Sequence, residues 1–194
     1  MIHSVQLRRF KRFADQTFEL PSTGMTICAG PNSSGKSTLL HGLAVWSFGV
    51  LVVKQFKGHA AILEGYTGQG AGISDDDFTP INIPDLRHLW QNLKSQILGE
   101  GYSMSVTVKW TDLHDAKERV LTMAFSLVQD RLFIKAEHSN LNETSKVPTV
   151  VYVPPVAGLD AREEFATAPK RRAMLGRGCV FRSIRPLIPT TSGH

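Results

Sequence analysis

The chain has 194 residues, 42% of them hydrophobic and 20% charged, with a formal net charge of +5. That length and mix suit one globular domain with its own core and exclude collagen-like or disordered chains. Two cysteines, Cys28 and Cys179, exclude a disulfide framework and zinc-ligand spacing and fit a reducing, cytoplasmic setting; the positive charge weakly favours polyanion partners such as DNA.

From Ile2 to Phe10 apolar and polar residues roughly alternate, Val5 and Leu7 on one side and Arg8 and Phe10 on the other, which predicts a half-buried strand. A second short strand ends in Phe18 and Leu20. After a turn at Pro21, Ser22 and Gly24, residues 25–29 (Met-Thr-Ile-Cys-Ala) form a short apolar run of the kind found in a strand covered on both faces. A glycine-rich loop follows at once.

Residues 37–56 lack proline and are apolar nearly all round, which predicts a central helix buried against a sheet. Ser47 and Gly49 interrupt its apolar run well short of the ~18 residues of a membrane span, and the N-terminus lacks a signal peptide's apolar core, so neither membrane insertion nor export is expected. Gly65, Gly68, Gly70 and Gly72, with Asp75 to Asp77 after them, read as a long surface loop. Asp85 caps a short predicted helix carrying Leu86, Leu89, Trp90, Leu93 and Ile97 on one face.

Three strands then follow: Met104, Val106, Val108 and Trp110 alternate with polar neighbours, Leu121, Met123, Phe125 and Leu127 do the same, and residues 132–136 return after a tight turn at Gln129 and Asp130. They predict an antiparallel meander over about residues 102–137, covering one flank of the lobe. Residues 150–153 read as another buried strand, stopped by Pro154 and Pro155. Asp160 and Glu163 form a capping-box pattern before a basic helix through about Leu175, and residues 186–194 read as a loose tail.

The chemistry is concentrated in Gly30-Pro31-Asn32-Ser33-Ser34-Gly35-Lys36-Ser37, which matches G-x-x-x-x-G-K-[ST] and lies between an apolar run and an apolar helix. Gly30 and Gly35 let the backbone curl so that successive N–H groups face phosphate oxygens, and the following helix adds the positive end of its dipole. The pattern predicts an ATP site in which the backbone of Asn32, Ser33, Ser34 and Gly35 cradles the phosphates. Lys36 bridges the β- and γ-phosphates, Ser37 holds Mg²⁺ and Thr38 contacts the α-phosphate.

Taken together, Ile2-x-x-Val5-x-Leu7-x-x-Phe10-Lys11-x-Phe13, then Phe18-x-Leu20, then the Gly-Pro-Asn form of the loop resemble the opening of RecF, SMC and SbcC-type ATPases. The likeness is specific over residues 1 to about 50. A looser one covers Val151-Tyr152-Val153-Pro154-Pro155-x-x-Gly158-Leu159, Glu163-Glu164 and Leu175-Gly176-x-Gly178. The resemblance implies an α/β P-loop NTPase lobe like an ABC-type ATPase head, occupying residues 1–185, with Lys11 beside the phosphates.

It also implies parts that the sequence lacks. No glutamine follows Gln129 to contact Mg²⁺ and the attacking water, and neither an acidic pair after four apolar residues nor a Ser-Gly-Gly signature occurs; Ala61-Ile62-Leu63-Glu64 is the nearest acidic candidate. In that family these pieces belong to a C-terminal half. The expectation is therefore a truncated or split member that binds ATP and Mg²⁺ and turns over weakly without a second ATPase half, or a homodimer formed across the nucleotide. Two rivals are a non-enzymatic adaptor stabilised by ATP and a small-molecule kinase, which would need a lid arginine cluster and suits the meander poorly.

Overall fold

The computed structural model describes residues 1–21, 24–96 and 101–153, and Met1–Tyr152 forms a compact unit. The expected basic helix, the loose tail and the boundary at residue 185 lie outside the described residues. Among the described residues the fold is mixed α/β, one antiparallel sheet carrying one long helix. The elements in chain order are β1 (Ile2–Phe10), β2 (Phe13–Glu19), α1 (Lys36–Lys57), β3 (Ala71–Ser74), β4 (Met104–Thr111), β5 (Glu118–Val128) and β6 (Arg131–Ser139). Their order across the sheet is β2-β1-β4-β5-β6-β3, with every neighbouring pair antiparallel.

The predicted meander forms, but it does not stand on a flank. β4 pairs directly with β1 from Ile2↔Trp110 to Arg8↔Ser105, so hairpin and meander are one continuous sheet. Alternation decides which face is apolar: Val5, Leu7, Val106, Val108, Leu121, Met123, Phe125 and Ile134 are all buried. Toward the end of β1, Arg9 has a left-handed φ of 53°, and Phe10 is fully buried, as Val5 and Leu7 are.

Helix α1 contacts β1, β3, β4, β5 and β6, and small residues let it come close. A Cβ at Gly42 would collide with the Leu7 Cδ2 methyl, and one at Gly49 would stand 3.1 Å from Phe125 and 3.2 Å from Ile134. Between them on the same helical stripe, Trp46 donates its indole N–H to the Leu121 carbonyl at 2.9 Å and meets Trp110 edge-on at 5.9 Å. By length and composition α1 could cross a membrane, yet 56% of its apolar window is buried inside the protein, as in a core helix. It is not buried all round as expected: Leu40, Leu51 and Phe56 are about half exposed.

Four other expectations are corrected. Residues 25–29 form no strand and are exposed, Met25 at 81% and Ile27 at 76%; a strand needs a hydrogen-bonded neighbour, and the sheet offers this run none. Residues 150–153 likewise form no strand, with Val151 and Val153 exposed. The glycine-rich loop contains β3, which pairs with β6 from Ala71↔Ile134 to Ser74↔Arg131. The helix expected after Asp85 is two short 3-10 turns: Asp85 does cap the first, accepting from the Arg87 amide at 2.7 Å, but the positive φ of Asn92 and Leu93 ends the helical path and leaves Leu93 exposed.

The close helix–sheet approach predicts that Gly42→Val lowers unfolding stability by about 2 kcal/mol through overpacking against Leu7. Leu51→Ala on the outward face should change it by no more than about 0.5 kcal/mol. Urea denaturation of the two variants checks this.

Candidate functional site

The loop of residues 30–37 runs from exposed coil into the first turn of α1. Ser33, at φ 62°, and Gly35, at φ 102°, adopt left-handed backbone within three residues, the kind of alternation that curls N–H groups into a concave nest. Gly35 is required twice over. Its φ disfavours a side chain, and a Cβ there would stand 2.5 Å from Cζ of Phe13, whose ring covers it. At Gly30 a Cβ would press on Ser34 Oγ at 3.0 Å.

Gly35 is the N-cap of α1 and offers no capping side chain, and the first turn carries no acidic residue. The leading amides of a 22-residue helix thus open onto the loop with the positive end of the helix dipole behind them. Lys36 folds back into its own loop, donating from Nζ to the carbonyls of Gly30 and Pro31 at 2.7 Å each. The cleft so formed, about 580 Å³, is lined by Arg12 and by Asn32, Ser33, Ser34, Gly35, Lys36, Ser37 and Thr38. These groups are all donors, hydroxyls or cations apart from the Asn32 carbonyl, so the cleft suits an anion.

Lys11 is not among the described residues that line the cleft. Its amide donates to the Leu89 carbonyl at 2.7 Å, and its ammonium donates to His41 Nδ1 at 2.8 Å. An ammonium cannot accept, so Nδ1 is the acceptor, the ring proton sits on Nε2, and Nε2–H donates to the Tyr152 hydroxyl at 3.1 Å. His41 and Tyr152 also meet edge-on, ring centroids 5.5 Å apart. Burial holds the Lys11 ammonium below its usual range; burial and then the Lys11 charge push His41 down to about 4; burial raises Tyr152.

Four participants had no site role assigned from sequence: Arg12, Phe13, His41 and Tyr152. Arg12 and Phe13 follow Lys11 at the hairpin tip, and His41 lies one helical turn beyond Ser37, spacings that would have pointed to them once the hairpin was known to fold over the loop. Glu64, the nearest acidic candidate, is exposed after a 3-10 turn (His59–Ile62) and does not line the cleft.

Because His41 stays neutral in the fold with a pKa near 4 against 6.5 when free, its contribution to stability is complete above about pH 6.5 and is lost as pH falls toward 4. Allowing for its partial exposure, the loss is about 1–2 kcal/mol. The melting temperature should fall across that window, and His41→Gln, which keeps an acceptor for Lys11 but does not titrate, should flatten the fall.

A protein-family model described as an AAA domain matches residues 1–57. No curated protein matches the chain. The match spans β1, β2, the loop and α1, ending on that helix's last residue, and it supports a nucleotide-binding, AAA-type ATPase domain there.

Proposed function

We propose that the chain is the ATP-binding N-terminal portion of a RecF/SMC/SbcC-like ATPase, a cytoplasmic lobe whose larger relatives act in DNA repair, chromosome maintenance or defence. The observation that carries this reading is the uncapped N-terminus of α1 behind a curled loop with Lys36 folded into it. In this reading the amides of residues 32–35 cradle the triphosphate, and Lys36 exchanges its two carbonyl partners for β- and γ-phosphate oxygens. Thr38 meets the α-phosphate.

The exposed Ser37 hydroxyl on the cleft is a hard oxygen donor, as Mg²⁺ requires, and one such ligand suits an ion that takes its others from phosphates and water. Bound with ATP, Mg²⁺ neutralises phosphate charge.

Among the described residues, those lining the cleft include no carboxylate. They hold and orient a triphosphate but offer no base for an attacking water. We therefore assign hydrolysis to a composite site, completed by a second ATPase half or by a homodimer across the nucleotide. The same observation favours a second reading, a non-enzymatic adaptor that ATP stabilises by ligand linkage.

Nucleotide titration with a phosphate-release assay tests both. Mg²⁺–ATP should bind, Lys36→Ala should weaken binding by about thirtyfold or more, and release from the isolated chain should be slow. Brisk release abolished by Lys36→Ala would overturn the composite site. Failure of every partner preparation to raise release, with ATP still lifting the melting temperature, would favour the adaptor.

A further inference from the structure

Phe13 opens β2, is half-buried, and is not among the described residues that line the cleft. Its ring nevertheless packs against the loop. Cζ and Cε2 stand 2.5 Å and 3.0 Å from the position a Gly35 Cβ would take, so the ring fills the space that glycine leaves beside the turn. The ring has supports of its own: Phe18 meets it edge-on, with centroids 5.3 Å apart, and the Arg12 guanidinium carbon lies 5.8 Å from its centroid.

The loop's other supports differ in kind. Residues 24–29, the coil that leads into it, are exposed. Within the loop the Ser34 amide donates to the Pro31 carbonyl at 3.3 Å, and Lys36 Nζ donates to the carbonyls of Gly30 and Pro31 at 2.7 Å each. The charged bonds from Lys36 are the stronger ones. They are also the ones surrendered when Lys36 turns to phosphate oxygens. The ring contact uses no group that a phosphate takes, so it persists in both states. Gly35 is the residue of the turn with the most backbone freedom, and a ring packed against it narrows the swings through which the turn uncurls.

We infer that Phe13 is a positioning residue of the phosphate loop: its ring keeps the turn at Ser33 to Gly35 curled both before ligand arrives and after Lys36 has left its carbonyls. The amides then meet a polyphosphate already aimed, and little ordering cost is left for binding. This rests on the ATP-binding reading above. It gives the ring a part in the order of the loop and none in recognition of the base.

Two variants of unequal reach test it in the full chain. Phe13→Leu keeps an apolar side chain against Phe18 but lacks the far edge of the ring, and Phe13→Met restores the reach. In the free protein the amides of residues 33–36 should exchange about fivefold faster in Phe13→Leu and close to the wild-type rate in Phe13→Met. Calorimetric titration with the Mg²⁺ complexes of ATP and tripolyphosphate should show both ligands weakened by about fivefold in Phe13→Leu, by similar factors, and nearly restored in Phe13→Met. Both variants are read well below their melting temperatures, so the fold is intact in each. Exchange and affinities unchanged in Phe13→Leu, with the wild-type chain binding normally, would overturn this proposal alone. An equal loss in the two variants would do so as well, because reach would then not matter, and so would a loss for ATP that spares tripolyphosphate, the mark of base stacking. A wild-type chain that binds neither ligand would overturn the ATP-binding reading together with this one.

Discussion

The close approach of α1 to the antiparallel sheet governs where the loop can be. Gly42 against Leu7 and Gly49 against Phe125 and Ile134 bring the helix so close that a Cβ at either position would crowd those side chains, and the Trp46 hydrogen bond to the Leu121 carbonyl fixes its position along the strands. With the helix so placed, its first turn falls beside the β1–β2 tip, and Phe13 closes over Gly35. The coil that leads into the loop, residues 24–29, is exposed. Helix behind and hairpin in front therefore position the loop, and the segment before it contributes little.

The electrostatics follow from that arrangement. An uncapped helix terminus, a lysine turned onto two carbonyls and an arginine at the rim concentrate positive potential in one cleft. One helical turn further on, the Lys11–His41–Tyr152 chain ties hairpin, helix and the end of the described chain together through neutral His41. Burial makes that histidine a poor proton acceptor, so the tie holds through the physiological range and loosens in acid.

Much of this was legible in the residues. The loop motif located the cleft, alternation located β1, β4, β5 and β6, and the all-apolar run located α1. What failed did so for tertiary reasons. Residues 25–29 and 150–153 have strand composition, but composition cannot supply the neighbour that a strand must pair with. The 3-10 turns after Asp85 have helical apolar spacing, yet left-handed backbone at Asn92 and Leu93 stops the helix, and β3 hides among glycines because its partner β6 lies some sixty residues away. At the site, residue type and motif position suggested Lys11 as a phosphate ligand; its amide donates to Leu89 and its ammonium to His41, tertiary partners that position in the motif does not specify.

Amide hydrogen exchange with and without Mg²⁺–ATP addresses the loop most directly. Binding through the nest at the start of α1 predicts slowed exchange confined to residues 32–38 and the hairpin tip at residues 11–13, with the far strands β3 and β6 unchanged. Protection elsewhere, with the amides of residues 32–38 exchanging as fast as in the free chain, would contradict it.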